Sequence, residues 1–132
     1  MAMDTKTVVI PFPDPATGDT MLVYKAPTAA LGGGQRIVDA YFVNHAATSG
    51  GTTFTLSLHK YSNAGTPAVN GTIAAAIGGT TDYWADTVPK QFTLNSTYAF
   101  LNAGEWLAVV YAEVATGNPT RGELVLHIQN GV

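Results

Sequence analysis

Polar and apolar positions alternate with a period of two over much of this 132-residue chain. Between Phe54 and Tyr61 the alternation is clean, with Phe54, Leu56 and Leu58 on one side and Thr55, Ser57 and His59 on the other. Successive side chains of a strand point to opposite faces, so this period marks a sheet with one buried face. Arg36–Asn44 is longer and nearly continuously apolar on one side, Trp106–Glu113 is strongly apolar, and Glu123–Gln129 sets Leu124, Leu126 and Ile128 on a single face. Shorter strands are expected at Thr5–Ile10 and Met21–Lys25, flanking the run Pro11-Phe12-Pro13-Asp14-Pro15, and at Thr72–Ile77 and Lys90–Leu94. Clusters of glycine, asparagine and threonine separate these runs, as turns between short strands require. Seven or eight such strands predict an all-β domain, a two-sheet β-sandwich. A jelly roll is its simplest form and an immunoglobulin-like sandwich the competing topology, without the cysteine pair that would support the latter.

Composition agrees. The polar residues are mostly threonine, asparagine, serine and glycine, which suit pleated strands and their turns better than helical surfaces do. Only 11% of residues are charged and 46% are hydrophobic, the reverse of a disordered chain. Two stretches break the strand pattern. Residues 11–35 carry Pro11, Pro13, Pro15 and Pro27 and the triplet Gly32-Gly33-Gly34. Proline cannot donate a ladder hydrogen bond, so residues 1–35 are expected to form an extended, proline-rich N-terminal arm with the first short strands. Residues 36–132 then form the sandwich core of one domain. The second stretch, residues 78–89, places Tyr83-Trp84 in a loop between Asp82 and Asp86.

Charge and motifs exclude more than they indicate. Six basic and nine acidic residues give a formal charge of −3, which leaves no basic field for gripping phosphates, so no nucleic-acid partner is expected. No run approaches the ~18 apolar residues of a membrane span, and the start of the chain lacks the apolar stretch of a signal peptide. Zero cysteines exclude disulfides, zinc thiolates and cysteine nucleophiles, and fit folding in a reducing cytoplasm. His45, His59 and His127 are scattered, with no His-x-His pair and no following glutamate, so neither a metal nor another cofactor is expected. Asp82, Asp86, Glu105, Glu113 and Glu123 are read as carboxylates at loops and strand ends rather than as a glycosidase pair. A Gly-x-Ser-x-Gly elbow, a Gly-x-Gly-x-x-Gly turn and a Gly-Lys-Thr phosphate loop are all absent, and no enzyme is expected. Trp106 and Tyr111 share a strand and face opposite ways, one into the core. Tyr83-Trp84 is left as a subunit contact, or as part of a sugar-stacking platform with Tyr98 and Phe100.

From Arg36 onward the order of elements resembles a known family. Ile37-Val38-Asp39-Ala40-Tyr41-Phe42-Val43 is followed by Phe54-Thr55-Leu56-Ser57-Leu58 and Phe92-Thr93-Leu94. Next come Leu101-Asn102-Ala103-Gly104-Glu105-Trp106-Leu107-Ala108-Val109 and Gly122-Glu123-Leu124-Val125-Leu126-His127-Ile128. This pattern is similar to the small β-sandwich decoration, cement or head-auxiliary proteins of tailed bacteriophages. The element around Ala103-Gly104-Glu105 is its most specific part, with Gly104 supplying the turn. The resemblance implies a structural virion protein on the capsid exterior, made in the host bacterial cytoplasm and bound to the major capsid protein as a homo-oligomer, typically a trimer. It brings no catalytic residue. The contacts expected with a subunit or capsid are Val8, Ile10, Phe12, Met21 and Leu22 of the arm, together with Tyr83 and Trp84. The alternative is a fibre- or lectin-like module that binds a receptor or carbohydrate.

Overall fold

The computed structural model describes residues 5–12, 20–45, 54–64, 68–78, 88–113 and 122–130. Among the described residues nine strands form: β1 (Thr5–Pro11), β2 (Thr20–Lys25), β3 (Gln35–Asn44), β4 (Phe54–Tyr61), β5 (Val69–Gly78), β6 (Pro89–Gln91), β7 (Phe100–Leu101), β8 (Trp106–Glu113) and β9 (Gly122–Asn130). They pair into two antiparallel sheets. The first has the order β1-β9-β3-β6, with β7 also on β3, and the second has the order β2-β8-β4-β5. The chain is a β-sandwich.

The period of two explains the core. Phe54, Leu56 and Leu58 of β4, Leu107, Val109 and Tyr111 of β8, and Leu124, Leu126 and Ile128 of β9 are all buried, and they meet Ile37, Ala40 and Phe42 of β3. At one end of the core the rings of Phe12 and Phe42 lie edge to face at 5.1 Å, while Phe54 and Tyr111 close the cluster at 5.7 Å. Aromatic pairs at such separations add to the area they bury.

Departures from the sequence pattern have local causes. Strand β5 begins at Val69, ahead of the expected Thr72–Ile77, and its pairing with β4 shifts register three times. The strand expected at Lys90–Leu94 shortens to β6, and Leu94 is held by a single bridge to Ala74. Two-residue β7 has no period to read. In the segment expected as an arm, β1 pairs with β9 over its whole length, from Thr5 opposite Gln129 to Pro11 opposite Glu123. Strand β2 pairs with β8. The described part of that segment therefore supplies one edge strand to each sheet. A short 3-10 turn at Ala29–Leu31 joins it to β3, and Gly32 (φ 120°) and Gly33 (φ 75°) adopt backbone angles that side chains resist.

Candidate functional site

The outward face of the first sheet is built from residues out of phase with the core. Its rows run across β1, β9 and β3 to β6 or β7. Thr5, Gln129, Arg36 and Phe100 form one row, and Thr7, His127 and Asp39 the next. Val9, Val125, Tyr41 and Gln91 follow, and then Pro11, Glu123, Val43 and Pro89. Apart from Phe100, the first two rows are polar. Arg36 lies over the Phe100 ring at 5.5 Å, and the Thr7 hydroxyl is in hydrogen-bond contact with His127 Nδ1 at 3.1 Å. The last two rows are mostly apolar: Val9 is 51% exposed, while central Val125 is covered by its neighbours. At the rim, His45 Nε2 approaches Glu123 at 3.6 Å, and the Gln91 amide donates to the Asp39 carboxylate. An apolar stripe with a polar border is the usual form of a protein contact surface.

The outward face of the second sheet differs. Leu22, Ala108, His59 and Thr72 form one row, and Lys25, Trp106, Tyr61 and Val69 another. Trp106 faces outward under the Lys25 ammonium, 5.4 Å from the ring, whereas Tyr111 of the same strand is buried. His59 lies 3.1 Å from the Ser57 hydroxyl, and burial holds its imidazole below the ordinary value. Among the described residues, no three histidine or acidic side chains come together as metal ligands.

A polar pair, Lys60 and Glu105, sits inside the sandwich, with the exposed residues Asn102 and Asn70 at its edge. Lys60 takes the next core-facing position of β4 after Leu58, and it is buried, as is Glu105 in the turn before β8. Lys60 Nζ lies 3.1 Å from Glu105 Oε1 and donates to the Phe100 carbonyl at 2.8 Å, which links the two sheets. Oε1 also accepts from the Asn102 backbone N–H at 2.7 Å and from Asn102 Nδ2 at 2.6 Å, and Oε2 accepts from Asn70 Nδ2 at 2.8 Å. Burial by itself raises the carboxyl pKa. The hydrogen bonds from Asn102, Asn70 and Lys60 outweigh it and hold Glu105 below its ordinary value. The turn itself depends on Gly104 at φ 79°, whose N–H donates to the Ala26 carbonyl at 3.2 Å.

The residues singled out in the sequence are not gathered in one place. Phe12 is buried in the core, and Val8, Ile10 and Met21 pack against it. Leu22 is exposed on the outward face of the second sheet. Tyr83 and Trp84 lie outside the described residues. Sequence reasoning passed over Val9, Tyr41 and Val125 as a face, and Lys60, Asn102 and Glu105 as a cluster. The parity of β4 was the available signal, because it carries Lys60 inward.

Comparison with known proteins gives a likeness of fold. No family model matches the chain. No curated protein matches it. Among solved structures, the chain is similar to one in the structure described as the capsid of Ralstonia phage GP4. The TM-score is 0.62 at 20% identity, over 98% of this chain and 86% of that one.

Proposed function

We propose that this chain is a structural virion protein that binds the outside of a tailed-phage capsid and stabilises it, as a decoration or cement protein without catalytic activity. One observation carries the reading: the fold likeness to a chain of a phage capsid runs through 98% of this chain. The sequence element Leu101-Asn102-Ala103-Gly104-Glu105-Trp106 supports it independently. The strand order, in which β1-β9-β3-β6 faces β2-β8-β4-β5, is compatible with a jelly roll and adds to that support. The partner is the major capsid protein, and a trimer fits the repeated contacts such a shell offers. The apolar stripe of Val9, Tyr41, Val43 and Pro11 is the surface that meets it. Since Val8, Ile10, Phe12 and Met21 face the core, their outward neighbours Val9 and Pro11 replace them as contacts. A ligand that binds the assembled shell and not its free subunits stabilises that shell by linkage.

The test is copy number, measured by quantitative mass spectrometry of virions of the phage that encodes the chain. A fixed simple ratio to the major capsid protein is expected. A handful of copies per virion would instead make it a fibre component, and absence from virions would overturn the reading.

A further inference from the structure

We propose that Lys60 and Asn102 join through an amide bond formed within the folded chain, with Glu105 as the proton carrier, a covalent modification separate from any role on a capsid. The observation is a buried amine, a buried carboxylate and a carboxamide meeting at one atom. Glu105 Oε1 lies 3.1 Å from Lys60 Nζ and 2.6 Å from Asn102 Nδ2, so the nucleophile and the leaving group touch the same oxygen. Asn70 reaches the other oxygen, Oε2, which makes Asn102 the better placed acceptor.

Three features make the chemistry accessible. Lys60 is in the core-facing row of β4, and its Nζ is held by the Phe100 carbonyl at 2.8 Å, which fixes its position. Both partners are buried, so bulk water does not come between the amine and the carboxylate. The shared contact with Glu105 Oε1 holds the amine and the carboxamide beside one another, the arrangement from which an unactivated amide gains effective concentration.

The step balances without a cofactor or oxidant. A proton passes from Nζ to Oε1, and the free amine pair adds to Asn102 Cγ, forming the Nζ–Cγ bond. The Cγ–Nδ2 bond breaks with its electrons on nitrogen. A second Nζ proton and the one held on Oε1 go to Nδ2, which leaves as ammonium, and Glu105 returns to carboxylate. The reaction occurs once per chain. It ties β4 to the turn that begins β8, two neighbours in the second sheet.

The experiment is the intact mass of the full-length folded chain, measured under denaturing conditions and followed by a protease digest. The expected mass is about 17 Da below that of the sequence, the loss of one ammonia. A branched peptide should join Lys60 to Asn102, and both signals should vanish in Lys60→Arg and in Glu105→Gln. Wild-type chain at its full sequence mass would overturn the proposal, and this reading needs no variant to fold. A loss of ammonia that persists in Lys60→Arg would also overturn it, because asparagine cyclisation at Asn70-Gly71 or Asn130-Gly131 gives the same mass. A branch to Asn70 would overturn the choice of acceptor.

Discussion

Glu105 shows how one side chain can tie sequence, packing and pH response together. It is buried, it accepts hydrogen bonds from Asn102 and Asn70, and it faces the Lys60 ammonium. Removing one partner of such a pair leaves a charge in the core. In the Lys60→Arg background, where no amide can form, Glu105→Ala is therefore expected to cost about 3–5 kcal/mol in chemical denaturation. The pH dependence has a definite sign. The folded pKa lies below the unfolded one, so the stabilisation is complete above the unfolded value and is lost as pH falls through the folded one. Lys60→Arg keeps the cation and removes the amine nucleophile, which makes it the right background. Its melting temperature should fall on acidification below pH ~4 more steeply than that of Lys60→Arg/Glu105→Gln. Parallel curves would mean that Glu105 carries no net stabilisation. Gly104→Ala tests the same turn through the backbone. At φ 79° a side chain is strained, and its Cβ would meet Asn63, so a loss of roughly 1–2 kcal/mol is expected in the same assay.

At the scale of elements, the edge strands decide how the N-terminal segment behaves. Phe12 follows β1, is buried against the Phe42 and Tyr111 rings, and donates its N–H to the Gly122 carbonyl at 2.9 Å. Phe12→Ala should thus destabilise the isolated chain by about 3–5 kcal/mol, as large core truncations do, measured by thermal or urea unfolding. Unchanged stability would return Phe12 to the surface role expected from its proline-rich neighbours. Strands with a long regular period, β4, β8 and β9, were legible because alternation alone fixes which side is buried. β7 was not, since two residues carry no period. The location of Phe12 was not legible either: prolines on both sides argue for extended chain, and nothing local says that such chain lies against a core. The buried cluster was half legible. Continuing the β4 alternation from Leu58 reaches Lys60, but its partner Glu105 comes from a turn distant in sequence, and only the pairing of β4 with β8 brings them together.

For the whole molecule, the two outward faces make different offers to a partner, and this separates the docking modes. The first sheet presents Val9 and Tyr41 beside Val43 and Pro11, and the second presents Leu22 beside Ala108, His59 and Thr72. Fully burying a valine-sized side chain is worth about 1.5–3 kcal/mol, which is roughly tenfold or more in affinity for each contact. A carboxylate placed there forfeits that gain and adds a desolvation cost, and an oligomer that binds through several copies multiplies the loss. Both Val9 and Tyr41 point away from the core, so Val9→Asp and Tyr41→Glu should leave the unfolding transition nearly unchanged. If the proposed capsid role holds, occupancy on capsids emptied of the native protein, read by quantitative gel or mass spectrometry, should fall at least tenfold. The protection of heads against heat should be lost with it, because stabilisation by linkage requires binding. Leu22→Asp is the matched control on the opposite face and should bind as the wild type does. The converse result, with Leu22→Asp abolishing binding and the first-sheet variants intact, would turn the molecule over on the shell. It would leave the stripe of Val9 and Tyr41 facing outward.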